Sequence, residues 1–453
     1  MSQMDWIRER LREFGDADFL IFKRQRYSYA DLLENVDHWT TVIGDQGIRP
    51  GDSIAMIGDY SPNTIFLFLA LVLNQNIAIP LSLETEEKKD RFFRIAQVNG
   101  FFRFDEQDRW TYERLESHGE PAHPFLDSLR RANEAGIVIF SSGTTGESKG
   151  SLLQAGKLFE KFRNAKRKPF RTLIFLKLDH IGGVNTLFSI MFNGGALVTI
   201  SDRSPKAVCR AIEEHRVQLL PTTPTFLNMV IISNIFRDFD LSSLQAVTYG
   251  TEPMPASTLK AANQVFPHVK LKQTYGLTEL GIFSTQSKDN HSNWMKIGGH
   301  GVETKVVNGT LWVRTRSAMV GYLNAPSPFD EQGWYNTGDQ VEIDGPYYRI
   351  LGRKQDIINV GGEKVYPAEV ESVLLEVPNI REAVVKGKKS PITGQIVTAV
   401  VVLEEPEDVR SLRKRILAYC NNRVERFKVP TVIRISEESL VSDRFKTKRA
   451  IET

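Results

Sequence analysis

The sequence predicts an α/β protein: a large N-terminal domain of layered sheets, a small antiparallel β subdomain, and a small mobile α+β domain at the C-terminus. Three observations predict it. Apolar strand-like runs alternate with helix-like stretches over roughly the first 265 residues, the pattern of a mostly parallel sheet covered by helices. After about residue 300 the texture changes to short strand-like runs with Gly turns, such as 309–313 and 347–350. From Arg353 the chain turns basic and mixed, so the boundary is drawn there: residues 1–352 and 353–453.

The elements follow in order. Arg49, Pro50, Gly51 and Asp52 mark a turn before a strand over 53–57. Ser61 and Pro62 start an apolar helix that runs to Leu73, and 77–81 reads as the next strand. The run 136–140 is a buried strand. Strands are expected near 173–176, 196–200, 217–220 and 246–249. Helices are expected near 184–192, 206–215 and 224–233, and from Pro255 onward. In the C-terminal part, 384–385 and 396–403 read as strands and 409–419 as a helix.

Composition narrows the class. The 453 residues are 41% hydrophobic and 25% charged, a globular profile long enough for two or three domains. A net charge of +3, from 58 basic and 55 acidic residues, gives no electrostatic case for nucleic acid. The late basic clusters, Lys386 to Lys389 and Arg444 to Arg449, read as solvated faces by default. Two distant cysteines, Cys209 and Cys420, offer neither metal spacing nor a disulfide framework, which suits a reducing, cytoplasmic setting. The amphipathic first fifteen residues are not a secretion signal. The most apolar run, 65–73, has nine residues, against the ~20 that a membrane span needs.

The chemistry begins at residues 140–150, FSSGTTGESKG, directly after the strand over 136–140. Gly143 and Gly146 let a backbone approach a ligand closely. Ser141, Ser142, Thr144 and Thr145 can donate to phosphate oxygens, and Lys149 adds a mobile charge. The combination suits a nucleotide polyphosphate. It is not a Walker loop, because Gly150 stands where Ser or Thr should follow Lys149. A plain polar hairpin turn is the competing structural explanation.

The same residues resemble the phosphate loop of the AMP-forming adenylating superfamily, F/Y-S/T-S-G-T-T-G-x-P-K-G, with Ser148 in place of proline. This superfamily comprises the acyl-CoA synthetases, peptide-synthetase adenylation domains and luciferases. Its other motifs follow in order. Tyr275-Gly276-Leu277-Thr278-Glu279 is similar to Y-G-x-T-E, which implies Tyr275 on adenine, Thr278 at the α-phosphate and Glu279 on Mg²⁺. Gly250, Thr251 and Glu252 resemble the segment lining adenine and the acyl carboxylate. Asp339, in Y-x-T-G-D, is implied to hold the ribose diol together with Arg353. Gly361 and Gly362 resemble the glycine pair that lines a pantetheine tunnel. Near the C-terminus, Lys446 stands three before Arg449, as in the superfamily's K-x-x-R. Phe445 occupies the place of a glycine there, and Lys448 is the rival for the catalytic lysine.

For the acid, Asp179-His180-Ile181 resembles the segment whose histidine ring flanks the substrate. Amino-acid-activating relatives carry aspartate where this chain has Ile181, so an uncharged acyl or aryl acid is expected; Asp179, one residue earlier, upsets this if the register slips. The resemblance implies an acyl- or aryl-CoA ligase with catalytic residues His180, Thr278, Glu279 and Lys446. It would use ATP, Mg²⁺ and coenzyme A on a small carboxylic acid. Two alternatives stand: loading of a carrier-protein pantetheine or a non-thiol nucleophile, and a non-catalytic nucleotide-binding homologue.

Overall fold

The computed structural model describes residues 5–116, 121–142, 147–164, 167–299, 301–421, 423–442 and 445–448. Gly143, Thr144, Thr145 and Gly146, the side chain of Ser142, and Arg444 and Arg449 lie outside the described residues.

The helix Pro62–Leu73 shows how local sequence sets the architecture. Ser61 caps it reciprocally with Thr64, and Pro62 takes the first turn, where its missing N–H costs nothing. Residues 64–72 are all buried, as in a helix enclosed on every side. It lies between two seven-stranded sheets: one apolar cluster joins it to Phe19 and Leu20 of the first and to Ile54, Met56 and Ile137 of the second.

The first sheet runs in the order Lys270–Gln273, Ala246–Tyr249, Leu219–Thr222, Arg171–Leu173, Ala196–Thr199, Asp18–Phe22, Gln25–Ser28. It is parallel except for the last hairpin. The second runs Gly321–Tyr322, Ser148–Gln154, Gly136–Ser142, Ile77–Leu81, Ser53–Ile57, Gly100–Phe104, Trp110–Arg114. Its centre is parallel and its edges antiparallel. Mixed α/β layering agrees with the expected fold class. Two strands are displaced by about two residues from their expected places, 173–176 and 217–220. The hairpins at 18–28 and 100–114 and the strand Lys270–Gln273 were not anticipated.

Period-two alternation in the first sheet matters for function. Leu173, Leu220, Val247 and Leu271 face a helix-covered core. Their neighbours Thr172, Leu219, Ala246 and Lys270, aligned across four strands, face the other way, onto a cavity.

A six-stranded antiparallel sheet follows, from Ser284–Ser287 to Tyr347–Arg353. A separate core then begins at Ile358. It is built on Gly394–Leu403, paired with Ile380–Ser390, Ile358–Val360 and Val432–Ile435, and covered by the helices Pro367–Leu374 and Val409–Cys420. Cys209 and Cys420 are both buried free thiols. No described helix is long and apolar enough to cross a membrane.

Candidate active site

A cavity of about 1260 Å³ opens along the first sheet, under the helix Ile181–Asn193, and ends against the antiparallel sheet and the C-terminal segment. Ser141, Lys149, His180, Gly250, Thr251, Tyr275, Gly276, Thr278, Glu279, Arg353 and Lys446 all line it. Residues drawn from positions 141 to 446 thus meet in one space.

The phosphate-loop strands form a hairpin in which Ser141 pairs with Lys149 and Ser142 with Ser148. The Lys149 ammonium sits 4.9 Å from the Tyr322 ring centroid, a cation–π contact that holds it over the cavity. Tyr322 in turn donates its hydroxyl to Glu279 Oε1 at 2.5 Å. Burial and the adjacent carboxylate push the Tyr322 phenol far above its ordinary range, so it remains a donor. No sequence signal marked Tyr322.

Tyr275 lies at the head of the tight hairpin Gly276–Leu277/Gly281–Ile282. A Cβ on Gly276 would fall 2.4 Å from the Gly281 carbonyl, so only glycine fits there. The Tyr275 hydroxyl donates to Asp339 Oδ2 at 2.6 Å, and Arg353 Nε lies 2.9 Å from Asp339 Oδ1. Arg353 also donates to the Thr337 carbonyl at 2.6 Å. Burial raises the Asp339 pKa, and the guanidinium opposes it. Asp339 stands just behind the cavity wall formed by Thr337, Gly338 and Arg353. Each of its oxygens keeps a lone pair beyond the contact already made.

His180 caps the helix Ile181–Asn193. Its Nδ1 accepts the Gly182 N–H at 3.0 Å. A neutral ring therefore carries its proton on Nε2. That atom faces Lys446 Nζ at 3.3 Å. Two donors converge, which suits an oxyanion held between them.

Lys446 arrives on a hairpin from the C-terminal region. Phe445 N donates to the Ser442 carbonyl, Ser442 N to the Lys446 carbonyl and Lys448 N to the Leu440 carbonyl, each at 2.8 Å. Phe445 adopts φ +51°, the left-handed turn that the superfamily's glycine takes freely. Its ring packs 5.0 Å from Phe175 and 5.3 Å from Phe226, in the core of the first sheet. Thr223 Oγ1 donates to its carbonyl at 2.6 Å. Lys448 is exposed and donates instead to the Ser439 carbonyl at 3.0 Å, away from the cavity.

Besides Asp339, three expected residues do not line the cavity: Glu252, Gly361 and Gly362. Glu252 leaves the nucleotide wall: Oε1 accepts the Thr447 N–H at 2.6 Å and Oε2 the Thr225 hydroxyl at 2.7 Å, clamping the lysine hairpin. Gly361 and Gly362 form an exposed turn at φ +61° and +95°, outside the cavity as the domains stand. Thr251, beside Glu252, is a β-branched residue at φ +73°, local strain of the kind found at ligand sites.

Ile181 lines the acid end as expected, and other residues join it. Ile181 is buried, but the helix beyond it presents Asn185, Ser189 and Asn193 to the cavity at four-residue spacing. Lys161 donates to Asn185 Oδ1 at 2.5 Å and to the Ile282 carbonyl at 2.8 Å. Lys168, Lys270 and Lys272 line the far end.

Comparison with known proteins agrees with this geometry. Residues 7–323 match the AMP-binding enzyme family, and residues 369–444 match its C-terminal domain. The chain belongs to the AMP-binding enzymes. It is 30% identical to a 2-succinylbenzoate–CoA ligase of Bacillus licheniformis, over 95% of each chain. Solved structures share the fold of this AMP-binding enzyme. An anthranilate CoA ligase in complex with anthranoyl-AMP superimposes with a TM-score of 0.86 at 20% identity, covering 99% of this chain and 96% of the other. An o-succinylbenzoate coenzyme A synthetase from Bacillus subtilis, in complex with ATP and a magnesium ion, gives 0.77 at 22%, covering 98% of each.

Proposed function

We propose that this enzyme joins a small carboxylic acid to coenzyme A through an acyl-adenylate. In the first half-reaction, a carboxylate oxygen attacks the α-phosphorus of ATP and pyrophosphate leaves. In the second, the thiol sulfur attacks the acyl carbonyl carbon, the thiol loses its proton and AMP leaves.

The observation that carries this reading is the 3.3 Å approach of Lys446 Nζ to His180 Nε2, with the nucleotide-side residues on one flank and the helix Ile181–Asn193 on the other. Charge builds on the α-phosphate oxygens during attack, and two preorganised donors stabilise it. Thr278 adds a hydroxyl from the nucleotide side. Lys149, Ser141 and the glycine-rich loop hold the β- and γ-phosphates, Tyr275 covers adenine, and Asp339 with Arg353 holds the ribose.

Glu279 fits a magnesium ion. Among the described residues no three metal-ligating side chains cluster, and one carboxylate plus phosphate oxygens and water is the usual Mg²⁺ shell. When bound, the ion neutralises charge on the departing pyrophosphate. Tyr322, by donating to one oxygen, orients the other. For the second half-reaction the region after Arg353 swings, withdrawing Lys446 and bringing Gly361 and Gly362 to the thiol's path.

The test is coenzyme A-dependent formation of AMP and a thioester across a panel of acids, beside pyrophosphate release without coenzyme A. Thioester with matched AMP supports the reading. Pyrophosphate release that never yields a thioester would move the acceptor to a carrier protein or a non-thiol nucleophile.

A further inference from the structure

Three lysines meet at the far end of the cavity. Lys270 and Lys272 project from one face of the strand Lys270–Gln273, two residues apart, and Lys168 reaches in from the loop before Arg171–Leu173. Among the described residues, no hydrogen bond or ion pair engages any of the three ammonium groups. Of the described carboxylates that line the cavity, Asp179 directly precedes His180 and Glu279 accepts from Tyr322.

Burial in the wall, and then the charges of Lys270 and Lys168, push the Lys272 ammonium below its ordinary range. Like charges gathered in a concave site without a counter-ion are unfavourable until an anion arrives. The nucleotide does not supply it, since its phosphates meet Lys149 and Lys446 at the other end. The facing helix stripe of Asn185, Ser189 and Asn193 is polar too, although Asn185 already accepts from Lys161 and Asn193 donates to the Ser189 carbonyl.

We infer that the acid is a dicarboxylic acid whose second carboxylate is bound by Lys272, with Lys270 and Lys168 beside it. This rests on the acid–CoA ligase reading above and names its substrate class. The reacting carboxylate meets His180 and Lys446, so the diacid reaches from there along the first sheet to Lys272. This departs from the uncharged acid expected from Ile181, which also lines the cavity.

The experiment measures ATP–pyrophosphate exchange with diacids of graded length, each beside an analogue in which a methyl group replaces the far carboxylate. A diacid of fitting length should exceed its analogue in kcat/KM by about tenfold or more, the scale of one charge-assisted contact. Lys272→Met should lower that ratio by about tenfold, mainly through KM. Lys168→Met, off the sheet, should lower it less, independently of strand packing. Lys272→Glu should reverse the preference toward an acid with a distal amine. If the methyl analogues are exchanged as well as the diacids, or the ratio is unmoved in both Met variants, the inference fails while the ligase reading stands. If no acid of either kind supports exchange, the ligase reading itself fails and takes the inference with it.

Discussion

The two ends of the cavity are built on opposite principles. At the nucleotide end, side chains are already bonded to one another: Lys149 over Tyr322, Tyr322 to Glu279, Tyr275 to Asp339, Asp339 to Arg353. At the acid end, Lys168, Lys270 and Lys272 line the cavity with no hydrogen bond or ion pair among the described residues. A site for an invariant ligand can afford a rigid, prewired frame, which lowers the reorganisation needed at reaction. A site that selects among acids must leave polar groups unsatisfied until the right one binds, because an unpaired partner is what penalises the wrong ligand.

The contrast is tested most severely where the two ends meet. Lys446→Ala should slow acyl-adenylate formation by ~10²–10³, the range for removing one preorganised transition-state donor. Thioester formation from supplied acyl-adenylate should largely survive, and Lys448→Ala should be mild, since Lys448 turns away. A Lys448→Ala defect of the larger size would reassign the lysine. On the nucleotide side, Glu279→Gln keeps the hydrogen bond from Tyr322 but loses the charge. The magnesium concentration for half-maximal activity should rise about tenfold, equivalent to ~1.4 kcal/mol. An unchanged magnesium titration would remove Glu279 from the metal.

Phe445 sharpens the comparison from a third side, because it docks the lysine hairpin onto the nucleotide domain. Truncation removes a ring packed between Phe175 and Phe226, of order 1.5–3 kcal/mol when wholly buried and less at this half-buried position. Phe445→Gly also relieves the left-handed backbone, worth ~1 kcal/mol, whereas Phe445→Ala does not. Adenylation should therefore slow several-fold in the Ala variant and less in the Gly variant, with the thioester step unslowed in either. Single-turnover assays of each half-reaction separate the two; a Gly variant worse than Ala would show that the left-handed backbone at this position carries no penalty for glycine to relieve.

What could be read from the sequence divides along the same line. The parallel layers were legible because apolar strands and capped helices such as Pro62–Leu73 carry strong periodic signals. The nucleotide residues were legible because they come as contiguous strings on turns. Glu252 was misplaced because a string fixes a residue's position along the chain, not the direction of its side chain. Tyr322 was invisible, lying in a two-residue strand with no motif around it. The acid end was hardest. Its residues come singly from a loop, a helix stripe and the strand Lys270–Gln273, and the alternation Lys-Leu-Lys passes for a solvated edge. Only the structure shows that both lysines border the cavity, Lys272 half-buried and Lys270 exposed.

The smallest predicted effect concerns Lys161, which donates to Asn185 on the helix Ile181–Asn193. Its surroundings strip water from the ammonium, so its pKa is pushed down to about 8 although the side chain still opens onto the cavity. Its two partners, Asn185 Oδ1 and the Ile282 carbonyl, are neutral acceptors, so nothing restores the charge. The sign follows: below about pH 8 Lys161 is a cation that attracts the incoming carboxylate, and above it the neutral amine does not. KM for the acid should rise a few-fold between about pH 7 and 9, with a midpoint near the Lys161 pKa, while KM for ATP stays flatter because Lys149 and Lys446 serve the phosphates. Lys161→Met should raise KM at pH 7 and erase most of the slope. A slope that persists in Lys161→Met would assign the titration to the lysines at the far end, and the division between a prewired nucleotide end and an unsatisfied acid end would then begin beyond Lys161 rather than at it.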